Sequence, residues 1–357
     1  MARQGARRRR ALRVRIGGLV RGRIDGGACR RKVLVVSAVE TVTVKEGEAG
    51  MRLDRWFRAH YPSVRHGELE KLLRTGQVRV GGGRAKANRR LEPGEEIRIP
   101  PLRPATDRPE KPKPAPRRED AAFLKRLSLF EDEAVLALNK PFGLSVQGGE
   151  KTSRHIDGML AALEKDGERP RLVHRLDRDT GGVLILAKTR LAAARLSEAF
   201  RRHEVEKTYW ALVAGAPRPR RGTIDLALAK KRGAEERMEA DEDDAGKKAV
   251  SDYQIVEEAG TVSFLALRPR TGRTHQLRVH CAAIGAPIVG DGKYGGAKSR
   301  IEGVAPKLHL FCREMSFPHP ASGRRLTLTA PLGGHMLETW RFFDFPADAS
   351  VDWPDLE

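Results

Sequence analysis

The sequence predicts an α+β protein in which a mixed, mainly antiparallel sheet forms a large domain, preceded by a small α/β domain. Short apolar runs typical of strands recur from residue 135 onward, with few helical segments between them. Before residue 100, helix-spaced apolar residues are followed by a glycine-rich turn and a second extended run. With 357 residues and 39% hydrophobic content, the chain can fill two ordinary cores, which argues against wholesale disorder.

The charge is strongly basic and unevenly distributed. Lys and Arg number 68 against 47 Asp and Glu, a net charge of +21, which favours a polyanionic partner and nucleic acid in particular. Residues 1–32 alone hold twelve basic residues and one acid, for a charge of +11. Because residues 1–36 are also rich in glycine and show no helix or strand period, we expect a basic flexible arm over residues 1–40.

Residues 41–100 have the pattern of a compact helix, helix, hairpin unit. Apolar and aromatic residues fall at helical spacing at Leu53, Trp56, Phe57 and His60. Leucines at the same spacing follow at residues 69, 72 and 73, and Gly76 marks the expected end of that helix. Extended runs follow on both sides of glycine and Pro-Gly turns. The many basic side chains of this unit predict a surface that contacts phosphates; those we select as RNA-binding candidates are Arg52, Arg55 and Arg79.

A domain boundary is expected at residues 101–120, where six prolines among charged residues are typical of a semi-rigid linker. The large domain is predicted over 121–345, followed by a tail over 346–357. Its expected strands lie at residues 135–138, 183–186, 209–213, 262–267, 308–311 and 326–328. Residues 233–246 carry seven carboxylates without a fixing pattern, so we interpret them as an acidic loop insertion.

Two polar segments are the candidate sites. Residues 173–182, which include Asp177, stand at the entrance to an apolar strand, where loops present functional groups. Residues 268–280 start at a glycine turn and run into a helix, whose buried stripe we predict from Leu277, Cys281 and Ile284, with Gly285 as its end. Arg278 adjoins that stripe, at the edge where a carboxylate could meet it.

A single Asp in a charged loop is most often a surface residue or a turn cap. A carboxylate nucleophile, in contrast, must stay ionised while shielded from water, and a guanidinium partner would lower its pKa and fix its direction. We therefore expect Asp177 to pair with Arg278. The alternative is that Asp177 and Asp179 form a general acid and base pair, as in glycosidases. Two residues of separation in a Gly-Gly turn do not, however, predict the distance between their carboxyl groups.

The two segments closely resemble those of a known family. Residues 174–182, HRLDRDTGG, and residues 273–280, RTHQLRVH, are similar to the signatures of the RluA/RluC/RluD family of pseudouridine synthases, and the resemblance covers residues 122–340. The usual Ser is replaced by Gly181, and a common His by Ala286. Residues 50–100 resemble the S-four-like RNA-binding domain, with Gly81-Gly82 in place of the usual Asn-Gly.

This resemblance implies isomerisation of uridine in RNA, and the two-domain arrangement implies large-subunit (23S) ribosomal RNA. It implies Asp177 as the catalytic residue, Arg278 as its partner and Tyr209 as the ring that packs on the base. Asp177 would attack the ribose C1′ or the base C6, or assist glycal formation. Further substrate or RNA contacts are expected from Arg175, which would support the flipped-out base or bind a phosphate, and from Leu277, Arg273 and His275.

No cofactor is expected, because the reaction is neither a redox step nor a hydrolysis and no nucleotide-binding glycine motif occurs. The spacing of His174, His275, His280 and His309 argues against zinc, since His275 and His280 are not an i, i+4 pair. Three widely spaced cysteines and the absence of an apolar span predict a cytoplasmic protein with no membrane contact, and we expect a monomer. Transfer RNA as the substrate and a non-catalytic role in RNA binding or ribosome assembly stay open as alternatives.

Overall fold

The computed structural model describes residues 39–102, 118–148, 154–165, 167–230, 238–240 and 246–353. They belong to two compact units, one on each side of a division after Lys113. Of the basic arm predicted over residues 1–40, residues 1–38 lie outside the described residues, as does most of the predicted linker, and Glu40 at the end of that range begins a strand. In the part of the chain that the structure describes, no helix is long and apolar enough to cross a membrane.

The N-terminal unit consists of two helices and a small sheet. Its elements are β1 (Glu40–Thr43), α1 (Leu53–His60), α2 (His66–Arg74), β2 (Arg79–Val80), β3 (Gly83–Arg84) and β4 (Glu96–Ile99). The strands pair antiparallel in the order β1-β4-β2-β3. Both predicted helices are confirmed, because the apolar side chains at helical spacing are the ones buried: Trp56 and Phe57 from α1 and Leu69 from α2 lie in one core.

The second unit contains a large sheet with helices packed around it. Its strands are β5 (Ser128–Glu131), β6 (Val135–Lys140), β7 (Arg171–Leu172), β8 (Gly181–Ala187), β9 (Glu206–Ala214), β10 (Arg221–Lys230), β11 (Met238–Ala240), β12 (Lys247–Ala259), β13 (Val262–Pro269), β14 (Leu310–Pro318) and β15 (Arg325–Thr329). Its helices are α3 (Arg118–Arg126), α4 (Ile156–Met159), α5 (Arg190–Arg201), α6 (Gln276–Ala283) and α7 (Gly334–Phe342).

This sheet is mixed and almost entirely antiparallel, so the predicted α+β class is confirmed. Its strand order is β11-β10-β12-β13-β9-β14-β8-β6-β5, with β15 on β14 and β7 on β8. Among the described strands only β8 and β14 run parallel, with Phe311 opposite Gly181 and Cys312 opposite Gly182. That parallel pair brings the start of β14 beside the loop that precedes β8, which is the loop that holds Asp177.

The core of this unit follows from the fully apolar central strands. All seven residues of β8 are buried, as expected for a strand covered on both faces. Trp210 on β9, Phe264 on β13 and Trp340 of α7 pack together. The ring centroid of Phe264 lies 4.8 Å from that of Trp210 and 4.9 Å from that of Trp340. These large rings close one side of the sheet and fix α7 to it.

Several sequence predictions need correction. Helix α3 begins at Arg118, inside the predicted linker and before the predicted domain start at residue 121. Part of the predicted acidic loop is strand β11, which pairs with β10. Gly181 and Gly182 begin strand β8 rather than forming a turn. Strand β14 begins at Leu310, after the predicted start at residue 308.

Candidate active site

Asp177 lies in the loop between β7 and β8, and the loop is anchored on both sides of it. Before it, His174 accepts a hydrogen bond from the Ile185 backbone N–H at 2.8 Å and stacks on Phe200 at 4.8 Å. Burial, followed by the nearby charge of Lys207, lowers the pKa of His174 to about 3. His174 is therefore neutral at ordinary pH and acts as a structural anchor.

After Asp177, the anchor is Lys140 at the end of β6. Its ammonium group is fully buried and donates hydrogen bonds to the carbonyl oxygens of Pro141, Leu144 and Arg178, at 2.8 to 3.0 Å. Burial lowers the pKa of Lys140 to about 8, against the opposing effect of two nearby aspartates. Because Arg178 directly follows Asp177, the bond to its carbonyl fixes the backbone at the candidate nucleophile.

The glycines at the start of β8 are required by close packing. Gly182 has φ +106°, and a Cβ there would lie 2.1 Å from the carbonyl oxygen of Cys312. A Cβ on Gly181 would lie 2.9 Å from the Phe142 ring and 3.0 Å from that of Phe311. The Ser usual in the resembling family would thus need both rings to shift, so this departure is matched by the packing of the two phenylalanines.

The expected ion pair between Asp177 and Arg278 is not formed, and the structure corrects that prediction. Arg278 instead binds Asp291 through two hydrogen bonds, Nε to Oδ2 at 2.8 Å and Nη2 to Oδ1 at 2.6 Å. Asp291 is almost completely buried, and the backbone N–H groups of Lys293 and Tyr294 also donate to it. Burial alone would raise the pKa of Asp291, but the hydrogen bond and charge of Arg278 keep it below its ordinary value.

Arg278 nevertheless lies close enough to Asp177 for the carboxylate to favour its charged form. The group in direct contact with Asp177 is His275, whose Nε2 lies 3.8 Å from Oδ2. His275 has φ +56°, precedes α6, and forms a 2.7 Å hydrogen bond through Nδ1 with the Tyr294 hydroxyl. Burial lowers the pKa of His275, more than the carboxylate of Asp177 raises it. The Asp177 side chain is 26% exposed, so it is partly shielded and still reachable.

Two cavities meet at Asp177. We call the first the tyrosine cavity, of about 530 Å³, because it is lined by Tyr209, with Lys207 and Leu277. We call the second the lysine cavity, of about 1050 Å³, because it is lined by Lys140 and Lys307, with Phe142 and His335. Both are lined by Arg175, Leu176, Asp177, His275 and Arg278. Asp177 therefore faces two adjoining spaces, and the predicted residues of the large domain are brought together around it.

In the tyrosine cavity, Tyr209 on β9 is partly buried beside Cys312 of β14. Burial, then the neighbouring thiol, raises the pKa of Tyr209 well above its ordinary value, so the phenol stays protonated. Leu277 of α6 forms an apolar wall of the cavity and is 6% exposed. Tyr209 and Leu277 thus give this cavity an aromatic surface and an apolar surface, and Asp177 lines the same cavity.

The remaining predicted residues are placed as follows. Arg175 is exposed and lines both cavities, whereas Arg273 lines the tyrosine cavity and donates to the Lys248 carbonyl at 3.1 Å. Arg52, Arg55 and Arg79 belong to the N-terminal unit. Arg52 pairs with Asp54 at 2.5 Å, and Arg79 donates to the Gly76 carbonyl at 3.2 Å, while Arg55 is exposed.

No role was predicted for Lys140 or Asp291, the residues that hold the Asp177 backbone and the Arg278 side chain. Both lie in short segments, residues 139–141 and 285–291, that resemble the family, and that resemblance is the signal that could have pointed to them. Within the described ranges, no group of three or more His, Cys, Asp or Glu side chains is placed to hold a metal ion. His280 is fully buried inside the unit, and His275 stands before α6, so the two do not share a helix face.

Comparisons with known proteins agree on the class that the fold and site define. The family described as RNA pseudouridylate synthase matches residues 134–283. The ribosomal large subunit pseudouridine synthase C of Pasteurella multocida is 34% identical over 306 residues, covering 85% of this chain and 93% of that protein. The protein of that name in Escherichia coli K12 is 34% identical over 302 residues, covering 83% and 93% of the two chains.

A solved structure, human RNA pseudouridylate synthase domain containing 4, is 28% identical with a TM-score of 0.55, covering 64% of this chain and 96% of that one. The match over nearly the whole length of the bacterial relatives shows that this chain belongs to the RNA pseudouridylate synthase family. It is accordingly an enzyme that isomerises uridine in RNA.

Proposed function

We propose that this enzyme converts uridine to pseudouridine in large-subunit ribosomal RNA, with Asp177 as the nucleophile. The observation that carries the proposal is the position of Asp177 at the meeting point of two cavities, on a backbone fixed by His174 and Lys140. The names of the bacterial relatives support the ribosomal substrate. In the net reaction, the bond from C1′ to N1 breaks, C5 bonds to C1′, C5 loses its proton and N1 gains one.

The residues around Asp177 have distinct roles in this proposal. The uracil enters the tyrosine cavity between Tyr209 and Leu277, which places its glycosidic bond at Asp177. Because the Tyr209 phenol is held protonated, it acts by packing on the base and not as a phenolate base. Arg278, held by Asp291, contributes a positive charge near Asp177 without forming an ion pair with it.

The base must leave the folded RNA before it can reach Asp177, at a cost of a few kcal/mol of stacking. Arg175 is exposed beside both cavities. It stabilises the extruded nucleotide either by binding a phosphate or by filling the space that the base leaves in the RNA stack. Arg273 and His275 lie at the same entrance and add RNA contacts. The N-terminal unit acts as an RNA-binding domain, with Arg55 and Arg79 among its phosphate contacts.

We further propose that the enzyme acts in the cytoplasm as a monomer and needs no cofactor. Cys281 and Cys312 are buried and unpaired, which supports a reducing compartment. Neither the chemistry nor the side chains at Asp177 call for a redox or hydrolytic group.

The test is to delete the gene in its host and map pseudouridine in ribosomal and transfer RNA, with wild-type and Asp177→Asn copies restored separately. We expect large-subunit pseudouridines to disappear on deletion and to return only with the wild-type copy. Loss confined to transfer RNA would contradict the ribosomal substrate, and no loss at all would leave only an RNA-binding role.

A second experiment tests the N-terminal unit. Removing residues 41–100 should weaken RNA binding and flatten its salt dependence, because each phosphate contact releases counterions. An unchanged slope of affinity against salt would mean that the large domain alone holds the RNA.

A further inference from the structure

The proposed function accounts for the tyrosine cavity but not for the larger lysine cavity beside it. With the uracil between Tyr209 and Leu277 and C1′ at Asp177, the ribose must lie on the far side of Asp177 from the base. The sugar and its phosphodiesters therefore leave toward the lysine cavity, which Asp177 also lines. Its volume of about 1050 Å³ is twice that of the tyrosine cavity and exceeds the needs of one ribose.

We propose that the lysine cavity is a second nucleotide site, which binds the nucleotide adjoining the target uridine in single-stranded RNA. Its phosphate lies at Lys307 and its base packs on Phe142. This inference rests on the proposed function, because it takes the target uracil to be in the tyrosine cavity.

The phosphate contact follows from a free cation on a fixed backbone. The Lys307 side chain is exposed at the cavity and, among the described residues, forms no hydrogen bond or ion pair. Its backbone is rigid: the carbonyl oxygen contacts His309 Nδ1 at 2.7 Å and approaches Gly290 so closely that a Cβ there would lie 1.9 Å away. Arg175, which lines both cavities, likewise forms no side-chain hydrogen bond or ion pair within the described part of the chain. An unpaired ammonium and an unpaired guanidinium at one cavity suit a phosphodiester.

The base contact follows from an accessible aromatic ring. Phe142 is partly buried, packs edge-on against His335 at 4.4 Å and lies 5.8 Å from Phe311. Gly143 and Gly333 also line the cavity, and a Cβ at either would meet nothing within 4 Å. Phe142 itself lines the cavity and is partly exposed, so its ring is available to a base there, and stacking on an aromatic ring accepts any base. The site should require a base at this position without selecting its identity.

The experiment measures affinity of the full chain for a short RNA that carries a uridine mapped as its target. Two modified RNAs are compared with it: one series has a neutral methylphosphonate at single positions beside the target, and another has an abasic neighbour. The variants are Lys307→Ala and Phe142→Leu, the latter keeping an apolar side chain in the packing. Lys298→Ala is the matched control, since Lys298 is exposed in the same unit and lines neither cavity.

Lys307→Ala should weaken binding of the unmodified RNA about tenfold, roughly the effect of one charge-assisted contact. It should also abolish the loss caused by methylphosphonate at one position beside the target. Phe142→Leu should abolish the loss caused by the abasic neighbour. Lys298→Ala should keep both sensitivities. In turnover, Lys307→Ala should raise KM with little change in kcat, because the contact is present before and during the reaction.

If the losses of RNA affinity caused by Lys307→Ala and by methylphosphonate are independent at every position, so that the combined loss is the product of the two, the phosphate assignment is overturned. Equal sensitivity of wild type and Phe142→Leu to the abasic neighbour would overturn the base assignment. Lys307 is exposed, so its variant should fold, and its result decides whether a neighbouring nucleotide is bound there even if Phe142→Leu is unstable. Pseudouridine formation by wild type on the same RNA separates the two claims: without it, the proposed function fails, and with it, only the second nucleotide site is in question.

Discussion

Replacing Asp291 with Asn tests how Arg278 is held. In the folded protein, Asp291 Oδ2 accepts Arg278 Nε at 2.8 Å, while Oδ1 accepts Nη2 at 2.6 Å and two backbone N–H groups. Asn has only one acceptor oxygen, so its amide N–H₂ group would face an N–H donor at one of the two positions where Asp291 accepts a hydrogen bond. The substitution also leaves a guanidinium whose side chain is 11% exposed without its counter-charge.

Breaking one partner of a buried ion pair typically costs about 3–5 kcal/mol, and we expect Asp291→Asn to lower the free energy of unfolding by about 3 kcal/mol. The assay is denaturant unfolding at pH 7, with Asp225→Asn as the control. Asp225 pairs with Lys248 at 3.2 Å, but both side chains are more than half exposed, so this loss should stay within about 1 kcal/mol. Equal losses for the two variants would refute the reasoning.

Asp291→Asn should also lower kcat at least tenfold, because Arg278 would lose the orientation that keeps its charge near Asp177. A kcat equal to that of wild type, with stability reduced, would limit Asp291 to a structural role.

Two further predictions concern the fold around the site. Gly182→Ala should abolish folding or destabilise the protein by about 4 kcal/mol or more, because its Cβ would overlap the Cys312 carbonyl. Thermal unfolding measures this loss. A near-normal melting temperature would contradict the packing of β8 against β14. Acid should destabilise the protein below about pH 6.5: burial lowers the pKa of His174 to about 3 and of His309 to about 4, so the unfolded chain takes up these protons first. Stability should fall by about 1.4 kcal/mol per pH unit for each such histidine as the pH drops toward 4, and His309→Gln should reduce that slope in denaturant titrations at several pH values.

The N-terminal helices could be predicted from the sequence because their information is local. The spacing of Leu53, Trp56 and Phe57 places them on one face of α1, and that face is the one buried. Strand β12 was missed because its buried positions include the polar residues Ser251 and Asp252 beside apolar ones, so no apolar run marks it. Asp252 can be fully buried because Thr223 of β10, Arg268 of β13 and Arg270, which follows β13, bind its carboxylate, and these partners are 16 to 29 residues away in the sequence.

The site shows the same limit. Asp177, Tyr209 and Leu277 were predicted and lie at one cavity, but their grouping came from resemblance to a family rather than from spacing. The partner of Arg278 was predicted wrongly, since two carboxylates were available: Asp177, far before α6 in the sequence, and Asp291, which lies 13 residues after Arg278. Which of them lies within 3 Å is decided by the turn after residue 290 and by burial, neither of which a linear pattern contains.

The central claim is that the carboxylate of Asp177 performs the chemistry on an RNA uridine. Its most direct test is a single-turnover reaction with a transcript of large-subunit ribosomal RNA, comparing wild type with Asp177→Asn, an isosteric change that keeps the loop packing. We expect pseudouridine from wild type and none from Asp177→Asn, with RNA affinity changed less than threefold. Conversion by Asp177→Asn at a rate within tenfold of wild type would contradict the account.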